Sequence, residues 1–307
     1  DPQDMVLAKT IIGFSDFLQE MRPDLVVIHG DRVEALACAL VCSMNYIRCA
    51  HIEGGEVSGT IDEIFRHCNT KLSTMHLVSS DVALERVVRL GEPRSSVEVI
   101  GSPELDIHTQ PSGVTLQEVR NRYEIASDDY GICIFHPVTS ECDNMGAQAE
   151  ALFSTLKDTK RYFVVILPNN DPGAREILQQ IEDLPASRFR VLPSMRFHYF
   201  SELLKNANVL IGNSSAGVRE APYLGVPSLD LGTRQTCRTF APSVSKACAF
   251  DRRAIRDFVE TQWGKTHPCD NSFGTGTACG KFRDLLLSAE FWSRPLQKYF
   301  ADEAVHV

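Results

Sequence analysis

The sequence lacks several things, and each absence narrows the field. No run approaches the ~18 consecutive apolar residues of a transmembrane helix, and no basic-then-apolar stretch opens the 307 residues. A basic excess is missing too. The net charge is −9, which argues against a general nucleic-acid or membrane-surface binder, although a few arginines and backbone N–H groups can still hold a small anion. The ten cysteines include no Cys-x-x-Cys pair, so neither a zinc pattern nor a dithiol redox motif is present. In a chain this long and core-rich they read as buried free thiols of a reducing cytoplasm rather than a disulfide framework. The Gly-rich turn FGTGTA (273–278) has no lysine and is not a P-loop. No nicotinamide-binding fingerprint, internal repeat or low-complexity segment appears, and no ordered oxygen-ligand spacing suggests a metal site.

What is present is an alternation of apolar runs and helical patterns. The runs LVVIH (25–29), IRCAHI (47–52), HLVSS (76–80) and VEVIGS (97–102) alternate with helical RVEALACALVCSM, IDEIFRHCNTKLS and DVALERVVRLG, the last stopped at Gly91. The second half repeats this with GICIFH (131–136), YFVVILP (162–168), FRVLP (189–193), NVLIG (208–212) and PSLDLG (227–232). Continuous apolar strands separated by helices predict parallel sheets covered on both faces, an α/β chain of two doubly wound domains. The polar segment HTQPSG (108–113) marks the break. Residues 1–110 are expected to form the first domain and 111–285 the second. An amphipathic segment, 286–307, is expected to cross back. The opening Asp1 and the helical DPQDMVLAKTIIGFSDFLQEM suggest a chain entering from something upstream.

In open parallel sheets, ligands bind beyond the carboxyl ends of the strands, so the residues following each strand form a list of candidates. GDR (30–32) follows the first run, HIEGGEVSGTIDE (51–63) ends the second, His136 and PVTSE follow GICIF, and PNND (168–171) follows the next. NSSAGVRE (213–220) and GTRQ (232–235) come later at the same edge. Gly, hydroxyl, carboxylate, amide and Arg groups therefore line one edge of both halves, which is expected to describe a cleft. Each member also has a plainer reading. Asp31 can cap the next helix, Arg32 can be a solvated first-turn residue, His136 can be a capped strand-end histidine, and the serines of GNSSAG can be an N-cap. Alternatively Ser214, Ser215 and first-turn N–H groups hold a phosphate at the positive end of a helix dipole. Asp31, Glu53 and Asp62 form an acidic set. Crowded in a partly closed site, such carboxylates repel, one pKa rises, and an acid and a base result.

Taken together, HGDRVEALA, HIEGGEVSGTIDE…RH..TKL, FHPVTSE, IGNSSAGVRE and LGTRQ strongly resemble the hydrolysing UDP-N-acetylglucosamine 2-epimerases of sialic and nonulosonic acid synthesis, from about residue 20 to the C-terminus. The resemblance implies the GT-B architecture, two Rossmann-like domains facing across a cleft, and no cofactor. It implies release of UDP and N-acetylmannosamine by anti-elimination through a 2-acetamidoglucal, followed by water addition. Carried over, Asp31, Glu53 and Asp62 resemble the proton-handling carboxylates, and His136 the histidine near the diphosphate and sugar. Ser214 and Ser215 resemble the phosphate-binding pair, and Glu220 the acceptor for the ribose hydroxyls. Arg32 and Arg234 resemble ligand-side or site-organising cations, and Asn169 a sugar-contacting amide. The expected partners are a UDP-sugar and further copies of the chain (a dimer or tetramer), with no nucleic acid and no membrane, in the cytoplasm.

Two features depart from the family pattern. An opening strand with a TGTRADF-like loop is absent, and Thr74 stands where many relatives carry a histidine. Alternatives at this level are UDP-N,N′-diacetylbacillosamine as substrate, a GT-B glycosyltransferase, or a non-catalytic UDP-sugar binder.

Overall fold

The structure is a computed structural model and describes residues 2–299 and 301. The chain divides into two compact units, the first within residues 1–57, 61–106 and 273–307, the second comprising 58–60 and 107–272.

Unit 1 carries four parallel strands in sequential order: β1 (Val26–His29), β2 (Cys49–Ile52), β3 (Met75–Val78) and β4 (Val97–Val99). Helices Val33–Met44, Asp62–Leu72 and Asp81–Arg89 make the crossovers. β2 and β3 are buried at every position, which is why their sequences run apolar without alternation. Ala50, Ile52, Met75 and Leu77 form the centre of this core, joined by Ala278 and Phe291 from the far end of the chain.

That return corrects the sequence-based boundaries. Residues from Phe273 onward, assigned by the sequence pattern to the second domain as far as 285, cluster with unit 1. The Ser102 N–H donates to the Phe273 carbonyl at 2.7 Å. The Asp106 carboxylate accepts from the N–H groups of Ala278 (2.9 Å) and Cys279 (2.7 Å), satisfying the start of helix Ala278–Leu286. These partners lie more than 170 residues apart in sequence, so no local pattern announces them.

Unit 2 holds six parallel strands: β5 (Gly131–Ile134), β6 (Phe163–Ile166), β7 (Phe189–Leu192), β8 (Leu210–Gly212), β9 (Ser228–Leu231) and β10 (Val244–Ala247). Their order is β10-β9-β8-β5-β6-β7, so the direction of winding reverses between β5 and β8. Such a switch point parts the two connecting loops and opens a crevice at the strands' carboxyl ends. β10 escapes sequence detection because its four residues, Val-Ser-Lys-Ala, are half-exposed at the sheet edge and lack an apolar run. All ten cysteines are free thiols, and Cys237, Cys248, Cys269 and Cys279 are exposed, which corrects the expectation of burial for these four. Among the described residues no helix is long and apolar enough to cross a membrane.

Candidate active site

The carboxyl edge of the unit-1 sheet is built around one buried arginine. Arg66, on helix Asp62–Leu72, is 1% exposed. Its guanidinium donates to Asp31, to Glu63 Oε2 at 2.9 Å and to the Glu56 carbonyl at 3.1 Å. The planar guanidinium reaches acceptors on two sides at once through separate N–H groups, where a lysine would present one compact ammonium. Asp31 therefore does not cap the following helix. That helix begins at Val33 with Arg32 in the cap position and no side-chain cap.

The turn bearing Asp31 is fixed from below. The Gly30 carbonyl accepts from Asn69 Nδ2 at 3.2 Å and bonds His51 Nε2 at 2.8 Å. Burial holds the His51 pKa down at about 3, so the ring is neutral, with Nε2–H donating to Gly30 and Nδ1 facing the Thr70 hydroxyl at 3.3 Å. His51 thus positions the turn rather than reacting. Its full burial inside β2 decides this, and only the tertiary structure shows it.

Glu53 follows β2 with φ of +70°, a left-handed conformation that costs a non-glycine residue about 1 kcal/mol or more. Strain of this kind persists where the surroundings demand one orientation of a side chain. Its Oε1 lies 3.4 Å from His29 Nε2, and His29 Nε2 lies 3.2 Å from Glu104 Oε1. Burial alone would lower the His29 pKa, but hydrogen bonds to Glu104 and Glu53 and their charges outweigh it and raise it to about 10. An imidazolium therefore sits between two carboxylates. These three groups also have ligand atoms within 4.8 Å of one another. With one imidazolium and two carboxylates the trio keeps a net charge of −1.

Sequence reasoning expected Asp31, Glu53 and Asp62 to crowd one another; the structure gives Asp31 and Glu53 cationic neighbours, Arg66 between Asp31 and Glu63 and His29 between Glu53 and Glu104. His29, Glu104 and Arg66 were missed as site residues. Arg66 carried a signal, since it falls four residues after Asp62 on the same helix face, but nothing in the sequence marks it as buried. Asp62 itself opens that helix and is half-buried.

The glycines of the acidic stretch have steric reasons. A Cβ on Gly55 would sit 2.1 Å from the Ala83 carbonyl oxygen, and one on Gly59 would sit 1.9 Å from that of Thr233. Residues 58–60 pack with unit 2, where the Gly59 N–H donates to the Arg234 carbonyl at 3.1 Å.

In unit 2 the loops on either side of the switch point are stapled by Asn213. Its Oδ1 accepts from the His136 N–H at 2.7 Å and its Nδ2 donates to the His136 carbonyl at 2.8 Å. The Asn213 carbonyl in turn accepts from Arg234 (3.1 Å) and Gln235 (2.9 Å), which fixes the loop after β9. The Asn169 N–H donates to His136 Nδ1 at 3.1 Å, leaving the ring proton on Nε2 as a directed donor. Burial, with the Arg234 charge adding to it, lowers the His136 pKa to about 3, so this donor is neutral. The Asn169 side chain turns to Asp171 Oδ2 at 2.5 Å. Asn213 is the residue missed here.

The expected helix dipole beyond Ser214 is corrected. Ser214 caps only a three-residue 3-10 turn, Ser215–Gly217, accepting from the Ala216 N–H at 3.4 Å, and a four-residue helix, Glu220–Tyr223, follows. Arg219 between them leaves helical geometry (φ −122°, ψ −63°), and Pro222 supplies no N–H, so no long dipole can accumulate. What the segment offers is local N–H and hydroxyl groups at the switch point. Glu220 is 4% exposed. Arg32, on unit 1, is half-exposed, with Nε 3.8 Å from Glu34 Oε2.

The sequence profile of the UDP-N-acetylglucosamine 2-epimerases matches residues 2–287. The chain belongs to the UDP-N-acetylglucosamine 2-epimerase family. A UDP-N-acetylglucosamine 2-epimerase of Neisseria meningitidis serogroup B is 40% identical over 306 residues, 98% of this chain and 81% of that protein. A hydrolysing UDP-N,N′-diacetylbacillosamine 2-epimerase of Legionella pneumophila is 33% identical, over 94% of this chain and 77% of that protein. In three dimensions the chain superposes on the Methanocaldococcus jannaschii UDP-GlcNAc 2-epimerase solved with UDP-GlcNAc and UDP at a TM-score of 0.80. That match covers 94% of this chain and 82% of that one at 20% identity, and it supports the GT-B-like α/β fold of this epimerase-family member.

Proposed function

We propose that the chain is a hydrolysing UDP-N-acetylglucosamine 2-epimerase that releases UDP and N-acetylmannosamine. The observation that carries the reading is the set of acidic side chains held by Arg66 and His29 at the carboxyl edge of the unit-1 sheet, in a chain of this family. In the first half-reaction a base takes the proton from C2. The C2–H electron pair forms the C1=C2 double bond, and the C1–O pair leaves on the β-phosphate oxygen of UDP, giving the 2-acetamidoglucal. In the second, water adds its oxygen to C1 and C2 receives a proton on the opposite face, giving the manno configuration. Electrons balance within the sugar, so the reaction draws on no redox cofactor.

Asp31, Glu53 and Asp62 divide the proton transfers in this reading, which their positions after a strand or at a helix start support. The neutral Nε2–H of His136 suits hydrogen bonding to a diphosphate or sugar oxygen, with Asn169 beside it. Ser214 and Ser215 hold phosphate oxygens, with Arg32 and Arg234 as cations for the ligand or its loops, and Glu220 accepts from the ribose hydroxyls. A second reading, UDP-N,N′-diacetylbacillosamine as substrate, is favoured by the similarity to the Legionella enzyme.

Proton NMR in D2O tests both. Free UDP with N-acetylmannosamine carrying deuterium at C2 supports the first. Turnover confined to the diacetylated sugar nucleotide supports the second. Release of UDP from neither refutes both.

A further inference from the structure

His108 lies in unit 2, in the short helix Asp106–Thr109, and its side chain is fully buried. Its Nδ1 is 2.8 Å from Ser201 Oγ, and its Nε2 is a buried polar atom with no hydrogen-bond partner. Glu220 Oε1 lies 4.0 Å from Nε2, on a side chain only 5% exposed. The ring is held against Phe197 (centroids 6.1 Å) and Tyr223 (6.3 Å), the latter on the same helix as Glu220. Burial, with the Lys205 charge as a lesser cause, lowers the His108 pKa to about 4, so the ring is neutral at physiological pH.

A neutral imidazole has one donor and one acceptor nitrogen, and the surroundings choose between the tautomers. If Nδ1 carried the proton, the bare lone pair of Nε2 would face a buried carboxylate across 4.0 Å. If Nδ1 accepts from the Ser201 hydroxyl, the Nε2–H faces the Glu220 carboxylate across 4.0 Å and the contact is favourable. Ser201 is itself fully buried on helix Phe197–Lys205, so its hydroxyl has little access to water and can donate to Nδ1. The Ser201–His108–Glu220 line is a relay of orientation. It aims a carboxylate that has little access to water.

We infer that His108 is a positioning residue for Glu220, held by Ser201, and that it sets the protein's preference for a ribose diol over a deoxyribose in the nucleotide. This rests on the reading of Glu220 as the ribose acceptor. A closure of the gap by about 1 Å on ligand binding would turn the 4.0 Å contact into a charge-assisted hydrogen bond. No proton leaves His108 in the reaction, and no bond forms to it.

The test compares UDP, 2′-deoxy-UDP and 3′-deoxy-UDP by calorimetry, together with KM and kcat for UDP-N-acetylglucosamine. The variants are His108→Phe, His108→Gln and Glu220→Gln, each checked for an unchanged thermal midpoint. His108→Phe is expected to weaken UDP and raise KM about 10-fold, the size of one hydrogen bond to a charged group. Its kcat should stay within about twofold, and its affinity for at least one deoxy-nucleotide should be unchanged. His108→Gln keeps an N–H donor and is expected to restore most of the discrimination.

If His108→Phe weakens UDP and both deoxy-nucleotides equally, or leaves UDP binding unchanged while Glu220→Gln weakens it, the inference is overturned and the reading of Glu220 survives. If Glu220→Gln itself leaves UDP affinity unchanged, the reading of Glu220 fails and the inference falls with it.

Discussion

Replacing Arg66 by methionine removes the one group that joins Asp31, Glu63 and the backbone of the acidic stretch. The guanidinium is 1% exposed, whereas the Asp31 and Glu63 side chains are 23% and 25% exposed. Breaking a buried ion pair from one side costs roughly 3–5 kcal/mol when the abandoned charge stays buried. Both carboxylates here keep an edge to water and can turn toward it. The expected loss is therefore nearer about 2–3 kcal/mol, below the buried-pair range. The catalytic loss is expected to be larger in proportion, because Asp31 would lose its orientation and the Glu56 carbonyl its donor. On the proposed reading of Asp31 as a proton-transfer group, kcat should fall at least about 100-fold with KM little changed.

Urea denaturation and the NMR turnover assay measure the two effects separately. Arg66→Lys keeps the charge but not the fork and should fall between, with stability closer to wild type than activity is. An Arg66→Met protein within twofold of the normal rate and within about 0.5 kcal/mol of normal stability would refute the argument that this cation organises the site.

Glu53→Gln and Asp62→Asn are each expected to lower turnover at least about 100-fold while leaving the denaturation midpoint nearly unchanged, and a near-normal rate in either removes that residue from the proton-transfer set. His29 gives a pH signature. Its folded pKa is raised to about 10 from an ordinary 6.5, so the folded state holds the proton more tightly than the unfolded chain. The stabilisation is complete below about 6.5 and disappears as pH rises toward about 10. The ring is 44% exposed, so solvent screening reduces the effect. His29→Gln should abolish this part of the slope in a series of denaturation curves. Identical pH dependence in the variant and the wild type would show that the trio stores no such energy.

Much of this molecule is written in short-range pattern. Nine of the strands were legible as apolar runs, most clearly those covered on both faces, which leave little room for polar residues. The candidate residues were legible because parallel strands deliver their following loops to one edge. Asp31, Glu53, His136 and Ser214 could be named from the loop that follows each strand.

What pattern could not give was partnership. Whether Asp31 caps a helix or takes Arg66, whether His51 reacts or braces the Gly30 turn, and whether His29 stands between two glutamates all depend on side chains from separate strands and helices. The return of Phe273 and Ala278 to the first unit depends on a carboxylate far back in the chain. The sequence by itself determined the parallel α/β architecture and the edge that collects the candidate residues, since both follow from local periodicity and strand direction. Only the tertiary structure decided which charges are paired, which histidines are neutral and where the polypeptide rejoins its first unit. Burial and hydrogen bonding are set by atoms that adjoin in space and not along the chain.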